Sequence, residues 1–163
     1  MGGERVKVVA SIAVAALALF AAYALVARPY ADNLQKLELD TNTRGAIIAE
    51  PYRAALTART NVITATRLLQ RHPDDADLYI FLGRNQEVLE MDREAAETYA
   101  RAIRVCPRSE IFLNLGLLQL KMGERSAAIE TLARGVRFEP VLAEEIADPT
   151  VRAAVEARVA QMP

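Results

Sequence analysis

The sequence predicts an all-α protein: a single N-terminal transmembrane helix, then a short solenoid of antiparallel helix hairpins closed by a C-terminal capping helix. Three observations predict it. Apolar residues make up 52% of the 163, aromatics only 6%, and Trp is absent, so the excess is Ala, Leu, Val and Ile; this is the composition of a helical protein. From Val8 to Ala27 there are twenty consecutive uncharged residues. One short phrase occurs twice, first as Asp77-Leu78-Tyr79-Ile80-Phe81-Leu82-Gly83 and again as Glu110-Ile111-Phe112-Leu113-Asn114-Leu115-Gly116. Self-similarity at a period of about 20 to 50 residues marks a stacked architecture, in which one unit needs its neighbour to bury its apolar face.

The N-terminal segment, residues 1–28, is long enough to span, since about twenty helical residues cross a hydrocarbon core of about 30 Å. Nine of the twenty are Val, Ile, Leu or Phe and nine are Ala, so insertion is favourable but moderate. A cleavable secretory signal is the competing reading, with Arg5 and Lys7 as its basic region and Ala22-Tyr23-Ala24 as a small-x-small site. The apolar run exceeds the usual length of about 7 to 15 residues for such signals, which favours a retained anchor. Met1-Gly2-Gly3 hints at myristoylation, but Val6 stands where that motif needs Ser or Thr. Arg5 and Lys7 precede the span and Arg28 and Lys36 follow it, the latter offset by Asp32, Glu38 and Asp40. This weak bias places the N-terminus inside and the bulk of the chain outside. Ser11, Ala15, Ala18 and Ala22 recur three or four apart, a spacing of small residues that lets membrane helices approach closely.

Residues 29–50 read as a juxtamembrane linker or short helix. Pro29 is expected to end the span, and the polar stretch to about Thr43 carries Leu34, Leu37 and Leu39 before Gly45 opens another run. Pro51 suits the first turn of a helix through Tyr52, Leu56, Val62, Ile63, Leu68 and Leu69, which His72-Pro73 stops, so 51–75 forms one element. Between Asp75 and Pro140, apolar residues recur at helical spacing, as in Leu78, Phe81 and Leu82 or Tyr99, Ala102 and Ile103. Turns at Glu90-Met91-Asp92, Cys106-Pro107-Arg108 and Gly123-Glu124-Arg125 separate the helices. Connections that short force antiparallel neighbours. In 141–163, Asp148-Pro149-Thr150 reads as cap, first-turn proline and helix start, leading into Val151, Ala154, Val155 and Val159.

The stretch 76–140 resembles the tetratricopeptide repeat family, whose unit is a helix hairpin of about 34 residues with Leu-Gly, small residues at helix crossings, an aromatic and a closing Pro. Ala76 to Ser109 supplies Tyr79, Leu82, Gly83, Ala95, Tyr99, Ala102 and Pro107; Ser109 to about Val141 supplies Phe112, Leu115, Gly116, Gly123, Ala128, Leu132, Gly135 and Pro140. Upstream, Pro73 precedes Pro107 by one family period, and Tyr52 and Leu68 fall at family positions, with Ile48-Ala49 in place of Leu-Gly; this is a degenerate first repeat. The C-terminal helix would cap the stack.

Other function classes find little here. Lys and Arg number 20 against 21 Asp and Glu, for a net charge of −1, so no basic field exists to hold a nucleic-acid backbone. Cys106 is the single cysteine and His72 the single histidine. One imidazole at a helix end makes no metal site, and Cys106 reads as an inert thiol. No metal-binding His-Glu-x-x-His, phosphate loop or nucleophile with a His partner occurs. Glu144, Glu145 and Asp148 read as a solvated helix end. The expectation is therefore no catalysis, no cofactor, no metal and no small-molecule substrate.

The resemblance implies a protein-binding groove on the first helix of each hairpin. Its positions fall on Asp77, Ile80, Arg84, Glu87 and Val88, then on Glu110, Leu113, Leu117, Leu120 and Lys121. Leu113, Leu117 and Leu120 form an apolar stripe that is either a partner site or the seat of the C-terminal helix. Ile80 and Phe81 stand where the family's carboxylate clamp would want polar side chains, and Arg84 with Asn114 does not rebuild it. The protein expected is a bacterial inner-membrane, single-pass adaptor with its repeats on the periplasmic side, a structural or assembly subunit of a larger membrane complex. The alternative is a periplasmic chaperone-like factor of the secretion or cytochrome c maturation type.

Overall fold

A computed structural model describes the backbone of residues 14–48 and 51–163 and the side chains of 14–40 and 53–163. Among the described residues every regular element is helical. The chain divides into two compact units, Met1–Glu38 and Leu39–Pro163.

The first unit holds helix α1 (14–22), a π-helical turn at Tyr23–Ala27, and the start of α2 (Arg28–Ile48). The helical stretch Val14–Asp40 is long and apolar enough to cross a membrane. Its 27 residues reach about 40 Å at the helical rise. Val14, Leu17, Leu19, Phe20 and Leu25 are all exposed on it.

Pro29 does not end this helix, contrary to the sequence expectation. In a regular helix its ring would collide with the carbonyl four residues back. Here the turn before it is widened, and the Arg28 N–H donates to the Tyr23 carbonyl five residues earlier. Such π-turns relieve local conflicts inside long helices. Gly45 likewise lies within α2 rather than opening a new segment. Ser11, expected on the small-residue face, and Ala49 and Glu50 lie outside the described residues, as do the side chains of Ile48, Pro51 and Tyr52.

The second unit contains α3 (Pro51–Leu69), α4 (Ala76–Val88), α5 (Asp92–Val105), α6 (Ser109–Lys121), α7 (Arg125–Phe138), the single turn α8 (Leu142–Glu145) and α9 (Pro149–Ala160). Packing follows chain order: α3 on α4, α4 on α5, α5 on α6, α6 on α7 and α7 on α9. Each helix therefore buries its apolar stripe mainly against its sequence neighbours, the arrangement that short connections impose. The core runs along the stack. Leu39, Leu68, Leu78 and Leu82 lie in its first part, Tyr79, Tyr99, Ile111 and Leu118 in its middle, and Phe112, Leu132, Ile146, Val151 and Val155 in its last.

Helix ends follow the local sequence. Asp75 caps α4, accepting from the Asp77 and Leu78 N–H groups at 3.0 and 3.4 Å. Asp148 caps α9, accepting from the N–H groups of Thr150 and Val151 at 2.8 and 3.3 Å, with Pro149 in the first turn. The C-termini of α4 and α6 close identically. After α4 the Met91 N–H reaches the Gln86 carbonyl at 2.9 Å and the Glu90 N–H the Glu87 carbonyl at 3.0 Å. At the equivalent positions after α6, Glu124 reaches Gln119 at 2.8 Å and Gly123 reaches Leu120 at 3.0 Å. This double bond pattern needs a left-handed residue after the cap. Gly123 takes it at φ 80° and Glu90 at φ 58°.

Glycines at the crossings set the helix spacing, Gly135 against Phe112 and Leu142 among them. A Cβ on Gly83 would overlap the Tyr99 ring, and one on Gly116 would overlap the Leu132 side chain. Tyr99 and Leu132 are both fully buried, so neither can swing aside.

Two substitutions read out these constraints in thermal melts of the detergent-solubilised full chain, followed by circular dichroism. Glu90→Gly removes a left-handed Cβ and stabilises by about 1 kcal/mol, raising the midpoint by about 4 °C. Gly83→Ala overpacks the crossing and costs about 1 to 3 kcal/mol. A lowered midpoint for the first, or an unchanged one for the second, would refute the local geometry.

Candidate protein-binding surface

The groove positions predicted from the sequence sit on α4 and α6, the first helices of the two equivalent hairpins. Their side chains differ in access. Ile80 is 4% exposed and Leu113 9% exposed, so a partner could touch only the rim of either. Arg84, Val88 and Leu120 are half-buried, while Leu117 is exposed. Leu113 and Leu120 share an apolar cluster with Val151, Val155 and Val159 of α9. Leu117 is the member of the stripe that solvent reaches.

The charges of this face are paired across helices. Arg84 Nη2 donates to Glu110 Oε1 at 2.7 Å, joining α4 to α6, and Arg108 Nη1 donates to Asp77 Oδ1 at 2.6 Å. Lys121 Nζ donates to Asp92 Oδ1 at 2.6 Å. Each pair is largely open to water, so each contributes about 0.2 to 1 kcal/mol and fades with salt. The pairing leaves the Arg84 guanidinium already engaged by a carboxylate. Asn114, on α6, has its Nδ2 buried with no hydrogen-bond partner, and a buried donor left unmade costs about 1 to 3 kcal/mol.

Behind the face lies a polar layer that the helical periodicity did not reveal. Asn61 on α3 donates to Asn85 on α4 at 2.9 Å, and Asn85 donates back to the Phe81 carbonyl at 2.6 Å. The Thr98 hydroxyl donates to Gln86 Oε1, and the Tyr99 hydroxyl to Glu87 Oε1, both at 2.7 Å. Satisfied buried groups of this kind fix helix register, since slippage would strand them. Burial raises the Glu87 carboxyl above its ordinary value, opposed by the Tyr99 hydrogen bond and by Lys121. Burial and the neighbouring Glu87 carboxylate hold the Tyr99 hydroxyl protonated.

One pairing went unnoticed in the sequence although the repeat contains it. The Arg101 guanidinium lies 6.0 Å from the Tyr79 ring centre and the Arg134 guanidinium 5.4 Å from that of Phe112. Both partners advance by one repeat, Arg101 to Arg134 as Tyr79 to Phe112. Following the period for charged residues, and not only for apolar ones, would have found it.

The remaining candidates are placed as follows. Ala15, Ala18 and Ala22 are exposed on α1. His72 lies in the turn between α3 and α4, its N–H donating to the Leu68 carbonyl at 2.9 Å. Burial pushes the Cys106 thiol up, away from the reactive thiolate. Asp148 is engaged in capping α9, and its carboxyl is held below its ordinary value first by the Thr150 hydroxyl, which donates to it at 2.7 Å, and then by the capping N–H groups. Among the described residues no three His, Cys, Asp or Glu side chains gather into a possible metal site.

Compared with protein-family models and with curated proteins, the chain finds no match in either.

The raised Glu87 carboxyl makes the folded state bind its proton more tightly than the unfolded chain, so its contribution to stability falls as pH rises above about 4.5. Glu87→Gln keeps an acceptor for Tyr99 and removes the titration. In urea melts at pH steps from 4.5 to neutrality, the variant should gain stability relative to wild type as pH rises. A difference that stays constant with pH would contradict this account of Glu87.

Proposed function

We propose that this protein is a non-catalytic adaptor: a membrane-anchored repeat domain of the tetratricopeptide type that serves as a structural or assembly subunit of a larger bacterial membrane complex. The observation that carries this reading is the joining of an exposed apolar helix of membrane-spanning length, Val14–Asp40, to a stack of helix hairpins in which the phrase at Asp77 returns at Glu110. An anchor restricts the domain to the bilayer surface and raises the effective concentration of a partner held in the same membrane. The hairpin stack supplies an extended surface without catalytic groups, which suits recognition of a partner segment.

On this reading the anchor lies in the inner membrane with the repeats on the periplasmic side, in keeping with Arg5 and Lys7 before the span. Ala15, Ala18 and Ala22, with Ser11, give a partner helix a face of small residues. Leu117, with the half-buried Val88, offers apolar contacts on the repeat domain.

Solubilisation of native membranes in mild detergent, followed by a native gel, tests the proposal. The protein should migrate in a complex well above its own 17.9 kDa plus detergent, and replacing Ala15 and Ala18 by Leu should shift part of it to a smaller species. Migration as a lone monomer would sink the structural-subunit reading and favour a transient chaperone-like factor.

A further inference from the structure

The stack ends in a recess of about 510 Å³ between α6, α7 and α9. Its apolar walls are Phe112, Phe138 and Met162, and its cationic ones Arg134, Arg137 and Arg158. These side chains have unequal commitments. Arg158 Nε donates to Glu130 Oε2 at 2.6 Å, which neutralises both. Among the described residues Arg134 has only the Phe112 ring as partner, and Arg137 forms no ion pair. Two exposed guanidinium groups therefore stand uncompensated at the recess, in a chain whose net charge is −1.

The aromatic wall is as unusual as the charge. Phe138 is 58% exposed, with its ring centre 6.2 Å from that of Phe112. The Arg–aromatic pair recurs in the preceding hairpin as Arg101 and Tyr79, and Val105 stands there in place of Phe138. In that hairpin the following helix is the 13-residue α6; at the end of the stack it is the 12-residue α9 after the extra turn α8. The recess thus belongs to the terminal unit, where the stack meets its cap.

We propose that this recess binds an acidic peptide segment of a partner protein, one in which a carboxylate side chain neighbours a large apolar or aromatic one. Arginine is suited to the carboxylate, because its planar fork donates two parallel hydrogen bonds. Phe138 and Met162 receive the apolar neighbour, and a side chain entering there also covers the exposed Phe138 ring. The apolar lining beside the arginines favours a peptide that carries both a carboxylate and an apolar side chain over an anionic headgroup alone. This partner chemistry rests on the adaptor reading but concerns a surface built by α7, the start of α6 and the end of α9.

Fluorescence anisotropy with the full chain in nanodiscs of neutral lipid tests it. The probe is a short fluorescein-labelled peptide alternating glutamate with phenylalanine, with lysine replacing glutamate in the control. The acidic peptide should bind and the control should not, with affinity falling as salt rises. Arg137→Glu and Phe138→Ser alter exposed side chains, and each should weaken binding by about tenfold or more, while circular dichroism stays unchanged. Equal binding of both peptides, or binding indifferent to both variants, would overturn the proposal. Displacement of the peptide by short-chain phosphatidylglycerol but not phosphatidylcholine would assign the arginines to lipid and overturn it too. A native complex that survives Arg137→Glu alongside lost peptide binding would leave the adaptor reading intact and show that this recess serves a different partner segment.

Discussion

The repeat domain depends on the places where one helix passes another with no side chain between them, at Gly83, Gly116 and Gly135. Gly83 admits the Tyr99 ring and Gly116 admits Leu132, and this close approach sets the spacing of α4 against α5 and of α6 against α7. Once those distances are set, other features follow from them. Tyr99 comes near enough to Glu87 for its hydroxyl to donate at 2.7 Å, and Thr98 can reach Gln86. Burial at a crossing is favourable at roughly 25 cal/mol per Å² of apolar surface. The same dense packing makes an added methyl group costly.

Polar groups then divide into two populations with different tasks. Buried ones, Asn61, Asn85, Gln86 and Thr98, lie at helix contacts, where burial makes each hydrogen bond obligatory. Exposed ones form pairs that are weak energetically but consume the charges of the face on α4 and α6. A partner approaching that face meets neutralised ion pairs and the edge of Leu117. Uncompensated charge is found instead on α7, where neither Arg134 nor Arg137 has a carboxylate partner among the described residues.

The helical periodicity made the hairpins legible because each helix has one buried stripe, and residues such as Tyr79, Leu82, Leu115 and Val155 occupy it. Caps were legible for the same local reason at Asp148 and Pro149. Pro29 and Gly45 misled because a proline or glycine reports a local preference, and a widened turn or a surrounding helix can override it at modest cost. Glu90 concealed a left-handed turn that Gly123 announced at the same repeat position. The candidate surface was legible only in part. The family resemblance implied a groove through Ile80 and Leu113, but it could not say how much of that face neighbouring helices cover.

By itself the sequence determined the all-helical class, the apolar stretch of membrane-spanning length and the repeat period, because composition, hydropathy and repetition act through contacts close in the chain. Only the tertiary structure decided which side chains are spent. That Arg84 is paired with Glu110, that Leu113 is buried, that Glu87 is forced to share a proton-bearing contact with Tyr99, and that Arg134 and Phe138 converge with Met162 on one recess all depend on distances between helices. Those distances are set by side-chain volume at the crossings, a property of facing residues taken together that no single stretch of sequence contains.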